Sequence, residues 1–212
     1  MPRTPVAAPA PSYDVQLQHL ASLVREGVLD PAALEVLGAL STAAEEAEAA
    51  DHGADRLPVI AVVTASALAT DTAMERVVAK GKPGRVDMNP LQPHDFEPIA
   101  MVDVPGPAYL LIDVDLGARY RDVRPEDALK EIVAEGRTPL TIDEGVSTLV
   151  QVPDALVART AFSLLASRRG DQRVPALWMS YGAPRLGWCW DRNPHTWLGS
   201  ASAARRVGPD AG

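Results

Sequence analysis

Apolar positions along the first fifty residues recur at spacings of three and four. Val15, Leu17, Leu20, Leu23 and Val24 fall on one side of a helix starting near Tyr13. Gly27 and Asp30-Pro31 stop that helix and open a second, with Leu34, Leu37 and Leu40 and an acidic, Ala-rich end at Ala50. The pattern then changes. "LPVIAVVTA" (57–65) is a continuous β-branched run and predicts a buried strand. "TDTAMERVVAKGK" (70–82) predicts a helix, with Thr70 or Asp71 as N-cap and Gly81 near its end. Residues 83–99 are rich in Pro and turn formers and predict a long ordered loop. "AYLLIDVDLG" (108–117) is a second strong strand, and Pro125 opens a helix over 126–136.

Thr141 and Glu144 have the spacing of a capping box, which predicts a helix to about Val150. Pro153 is expected to break it and open another through Ser167. "VPALWMSYG" (174–182) and "PRLGWCW" (184–190) predict strands, with "HTWLG" (195–199) as a return. The expected fold is α+β (or α/β): a helical N-terminal pair, a mixed β-sheet packed by helices and a C-terminal antiparallel Trp-rich hairpin. The expected division is a disordered tail over 1–12, a helical leader over 13–56, a core domain over 57–204 and a second tail over 205–212.

Composition narrows the class. With 212 residues, 47% of them apolar, the chain can bury one sizeable core. No apolar run approaches the roughly 18–20 residues of a membrane helix, and one Cys cannot form an internal disulfide. A cytoplasmic protein is expected. The net charge of −8 is unevenly spread. Residues 1–155 carry 12 Lys/Arg against 25 Asp/Glu, while residues 156–212 carry eight Arg against three Asp. The overall acidity argues against broad nucleic-acid binding. The Arg-rich end suits bidentate contact with carboxylate or phosphate.

The densest candidate chemistry is "GAPRLGWCWDRNPHTWLG" (182–199), with three of the four Trp, the only Cys and one of four His. If Arg185–Trp190 and His195–Gly199 pair about a turn at "DRNP", Trp188, Trp190, His195 and Trp197 share one face and Cys189 takes the other. That arrangement separates Cys189 from His195 and disfavours a thiol–imidazole pair. The shared face, with Arg185 and Arg192 beside it, offers a ligand-binding surface for a small anionic or aromatic molecule. Asp113 and Asp115 end a strand on one face and are a candidate divalent-metal pair. No other cofactor is implied.

The strings "GRTPLTIDEGVSTL" (136–149), "SRRGDQRVPALWMSYGAPRLGWCW" (167–190) and "HTWLGSAS" (195–202), with "DVDLG" (113–117) and "RPEDAL" (124–129), are long and irregular. Over roughly Val59 to Arg205 the chain resembles a family of uncharacterised actinobacterial proteins of unknown function. The resemblance implies a cytosolic single-domain protein with a helical leader and supplies no activity, cofactor or catalytic residue. Three functions follow from the residues. The first is a non-catalytic binding or regulatory domain whose Trp/Arg/His region takes a small anionic or aromatic ligand or a protein partner. The second is an enzyme with an atypical site built from Asp113, Asp115 and His94 or His195. The third is single-stranded nucleic-acid binding by Trp stacking.

Overall fold

The computed structural model describes residues 10–53, 55–156 and 160–209; most of the expected N-terminal tail lies outside them. The leader forms three helices: α1 (Tyr13–Arg25), α2 (Pro31–Ala39) and α3 (Ser41–Ala49). The Asp30 side chain accepts the Ala32 amide at 2.9 Å and Pro31 takes the first helical position. The second predicted helix divides at Leu40, which leaves helical geometry at φ −96°, ψ 8° and keeps its side chain buried.

The chain then runs through β1 (Arg56–Val63), α4 (Thr70–Arg76), β2 (Val78–Ala79), β3 (Lys82–Pro83), β4 (Arg85–Val86), β5 (Glu97–Pro98) and β6 (Ala108–Asp115). Next come α5 (Pro125–Ala134), β7 (Thr138–Pro139), α6 (Ile142–Gln151), β8 (Ala161–Ser163) and β9 (Ser167–Arg168). The last elements are β10 (Arg173–Ser180), β11 (Ala183–Trp190), β12 (Leu198–Ser200), β13 (Ser202–Ala203) and β14 (Arg205–Val207). The fold is α+β with mixed sheets. One sheet has the order β1-β6-β13-β7, with β14 also on β6; the other has the order β12-β8-β10-β11-β4. Two short pairs, β2–β3 and β5–β9, stand apart.

Helix α6 joins the layers. The Thr141 hydroxyl accepts the Glu144 amide and the Glu144 carboxylate accepts the Thr141 amide, so the predicted capping box is present. Every α6 residue except Asp143 is buried. One side meets β1, where Ser147 Oγ bonds both the amide and the carbonyl of Val63. On the other side, Gly145 lies against the Leu164 and Leu177 side chains. The outer edge of β1 is also covered. The Gln16 amide of α1, fully buried, pairs with Val59 O and Ala61 N at 3.0 and 2.9 Å. The leader therefore closes a sheet edge that would otherwise template pairing with another chain. Tyr13, Leu20, Leu23 and Leu37 share one core cluster with the sheet, so the leader is part of the core.

Several local expectations are corrected. The helix predicted over 70–82 ends at Arg76, because the Val77-Val78 pair favours extended backbone and Lys80-Gly81, at φ 50° and 74°, turns the chain into β2–β3. The helix predicted from Pro153 to Ser167 is absent among the described residues; a single turn at Pro153–Ala155 precedes β8 and β9. Residues 161–167 are all buried, and an extended run covered on both faces accommodates that pattern. Arg205–Val207, expected in a frayed tail, pair with β6.

Candidate functional site

The antiparallel Trp-bearing hairpin exists, but its strands are β10 and β11, joined at Tyr181-Gly182, both at positive φ. Residues 195–199 do not pair with β11. Instead β12 runs parallel to β8, from Leu198↔Ala161 to Ser200↔Ser163. The expected register is therefore lost, and with it the single face of Trp188, Trp190, His195 and Trp197. Cross-strand partners Arg173↔Trp190 and Pro175↔Trp188 put one indole pair on one face. There the rings meet edge to face at 5.2 Å, and the Arg173 guanidinium lies 4.7 and 5.2 Å from their centroids. Trp178↔Arg185 and Val174↔Cys189 define the opposite face. Trp178 meets Trp197 at 6.4 Å, and Trp197 meets His195 at 5.5 Å. Residue 187 must be Gly here, since a Cβ would run into the Trp178 indole and the Asp87 carbonyl.

Arg185 is the anomaly of this face. It is 5% exposed, yet its Nε and Nη1 have no hydrogen-bond partner. Its one acid neighbour is Asp87, whose exposed carboxylate lies 3.7 Å from Nη1. A buried guanidinium with orphaned N–H groups is costly and calls for an acceptor. Arg185 lines a groove of about 1090 Å³ between α1, α4, the β2–β3 turn and β4–β11. The parallel register of β4 on β11 sets Arg85 directly beside it. Lys82, which donates to the Tyr181 carbonyl at 2.9 Å, lies on the same wall. Two guanidiniums on neighbouring strands repel unless an anion sits between them.

The other expected residues have other surroundings. Arg192 is exposed and reaches only Glu126, at 3.4 Å. Cys189 is buried, no hydrogen bond joins it to His195, and burial pushes its thiol up to about 12. A raised value leaves almost no thiolate at pH 7–9. Native Cys189 is expected to resist alkylation by iodoacetamide across that range and to react only after unfolding; a rate rising with pH like that of a free thiol overturns this.

Asp113 accepts Arg137 and Arg56 on Oδ2 at 2.7 and 2.6 Å and faces His52 Nδ1 at 3.1 Å. Burial raises its carboxyl, but these three partners outweigh burial and hold it below the usual range. Asp115 Oδ1 accepts the Gly117 amide at 2.7 Å. The two aspartates thus serve a cationic hub and a turn. No group of three or more His, Cys, Asp or Glu among the described residues has the geometry to hold a metal ion.

His94 lies elsewhere, in a cleft of about 610 Å³ with Thr64, Ser66 and Asp143. Asp143 accepts the Ala65 amide at 3.1 Å, and burial pushes its carboxyl up. Val63 pairs with Ala108 at the start of β6, whereas Arg56 pairs with Asp115 at its end. The cleft is therefore about 20 Å of strand away from Asp113 and Asp115.

Two features escaped sequence reasoning. Glu144, fully buried, receives Arg206 at 2.5 and 2.8 Å and Tyr109 Oη at 2.8 Å. "DHGADR" (51–56) supplies His52 and Arg56 to Asp113. The Glu144–Arg206, His52–Asp113 and Arg56–Asp113 contacts each link residues more than fifty apart, which local spacing does not encode.

No curated protein and no solved structure shows significant similarity to the chain. No helix among the described residues is long and apolar enough to cross a membrane. A family profile matches residues 20–209, which takes in most of the leader as well as the strings that carried the sequence resemblance. The chain belongs to that family, DUF5701, a family of unknown function.

Proposed function

We propose that this protein is a non-catalytic binding domain that takes a small anionic ligand in the groove over Arg185. The observation that carries the reading is the buried Arg185 guanidinium with two orphaned nitrogens, set beside Arg85. A folded protein tolerates such a charge where a ligand completes its hydrogen bonds, at a cost in stability when the ligand is absent. The Trp178–Trp197–His195 ledge flanks Arg185 through the Trp178 cross-strand pair and makes the site readable by indole fluorescence. A cytosolic location goes with this reading, given one buried thiol. Nucleic-acid stacking has less support, because the indoles divide between two faces and give no continuous track.

The test is a thermal titration with sodium phosphate at fixed ionic strength, on wild type and Arg185→Met. Wild type is expected to gain melting temperature with phosphate, since the ligand binds the native state. Arg185→Met is expected to melt about 2–4 °C above ligand-free wild type, because it removes a buried guanidinium whose Nε and Nη1 lack hydrogen-bond partners, and to ignore phosphate. An equal phosphate response in both proteins, or none in wild type, overturns the reading.

A further inference from the structure

We propose that the cleft at the end of β1 is a second binding site, which takes a small primary amine as its ammonium with Asp143 as counter-ion. The cleft has a volume of about 610 Å³, and three segments close it. The turn after β1 brings Thr64 and Ser66, whose hydroxyls pair at 2.8 Å. The start of α6 brings Asp143, whose Oδ2 accepts the Ala65 amide at 3.1 Å. The carboxylate is thus fastened to the same turn that carries the two hydroxyls. The segment 92–98 brings His94 and Phe96. Ser167 holds that segment against α6: Pro98 pairs with Ser167 across β5–β9, and Ser167 Oγ accepts the Ile142 amide at 2.9 Å.

The chemistry of the lining selects a cation. Among the described residues, Asp71 and Asp143 line the cleft and no Lys or Arg does. Asp71 is exposed at the start of α4, whereas Asp143 is half-buried. The Asp143 carboxylate takes its hydrogen bond from a neutral amide, and no ion pair to a cation neutralises it among the described residues. Its neighbour Glu144 is turned to Arg206 and Tyr109 and adds only repulsion. A bound cation offsets both that repulsion and the cost of burial. An anion would meet Asp143, and the Ile142 and Glu144 amides at the head of α6 are already taken by Ser167 and Thr141. A divalent metal ion finds no group of three or more His, Cys, Asp or Glu among the described residues. The volume admits an organic body. A primary ammonium has three N–H donors to share between the carboxylate and the Thr64 and Ser66 oxygens. A quaternary ammonium calls for an aromatic cage, and Phe96 is the one Phe, Tyr or Trp of the described lining.

The probe is n-butylammonium chloride, titrated by calorimetry into the full chain at neutral pH and matched ionic strength, beside tetramethylammonium and magnesium chlorides. Butylammonium is expected to bind about tenfold more tightly than tetramethylammonium, and magnesium is expected not to displace it. Asp143→Asn keeps an acceptor for the Ala65 amide and is expected to weaken butylammonium by about tenfold or more, the worth of charge-assisted hydrogen bonds. Ser66→Lys, at an exposed position next to Ala65, tethers an ammonium beside the carboxylate and is expected to abolish butylammonium binding. This variant carries the test by itself if Asp143→Asn fails to fold. Arg185→Met is expected to bind butylammonium like wild type, which separates this site from the anion groove. Absence of binding by wild type overturns the proposal, as does wild-type affinity in Asp143→Asn or Ser66→Lys. Loss of binding in Arg185→Met overturns the assignment to this cleft. Equal affinity for tetramethylammonium, or displacement by magnesium, overturns the choice of a primary amine.

Discussion

Glu144→Ala is expected to destabilise the protein by about 3–5 kcal/mol, more than loss of any other single side chain in the polar interior. Removing the carboxylate strands the Arg206 guanidinium, whose side chain is 8% exposed, and the buried Tyr109 hydroxyl. It also opens the capping box of α6, the helix on which both sheets rest. Burial alone pulls the Arg206 guanidinium toward its neutral form, and Glu144 reverses that and holds it charged. For a domain of this size the loss corresponds to about 10 °C or more in melting temperature. The double substitution Glu144→Gln/Arg206→Met distinguishes a stranded charge from lost packing. It removes both charges while the Gln amide oxygen can still cap Thr141, and is expected to recover much of the loss. A Glu144→Ala protein melting within about 2 °C of wild type, on the order of half a kcal/mol, sinks the assignment.

Asp113→Ala is expected to cost about 2–4 kcal/mol, for two separate reasons. The first is charge: Arg137, with a 9% exposed side chain, and His52 lose their acid partner, and Arg56 keeps only Asp115 at 4.0 Å. The second is backbone: Asp113 sits at φ 55°, a region that Asp and Asn visit and that costs Ala about 1 kcal/mol. Asn at this position is expected to be milder than Ala, since it tolerates the conformation and keeps one acceptor. His52 also faces the Ala47 carbonyl at 2.6 Å through Nε2, and so ties the end of α3 to β6. Limited proteolysis near residues 50–55 is expected to quicken in Asp113→Ala. Equal melting temperatures for the Ala and Asn variants argue against the backbone contribution. An unchanged cleavage rate argues against the tie.

Elements whose signals are local are legible in the sequence. The runs at 57–65 and 108–117 form β1 and β6, Pro125 opens α5, and Thr141 with Glu144 caps α6. The uneven charge also singles out the Arg-rich end that contains Arg185. Pairing between strands is harder to read. Asn-Pro at 193–194 has the composition of a hairpin turn, while the true turn is Tyr181-Gly182, whose Tyr does not advertise a positive φ. The placement of β12 on β8 is a parallel, long-range pairing with no local marker. The rest of the candidate groove comes from α1, α4, the β2–β3 turn and β4, a hundred or more residues before Arg185. Arg85 comes beside that residue only once β4 pairs with β11.

The position of β13 between β6 and β7 affects how this protein is made. Its central seam is filled by residues 202–203, and the guanidinium that neutralises Glu144 arrives at residue 206. A ribosome releasing the chain from its N-terminus therefore presents β6 and α6 long before the segment that finishes them. Folding of the core must wait until the chain has been made past residue 206, and a product ending at residue 200 would lack the strands that fill the seam between β6 and β7.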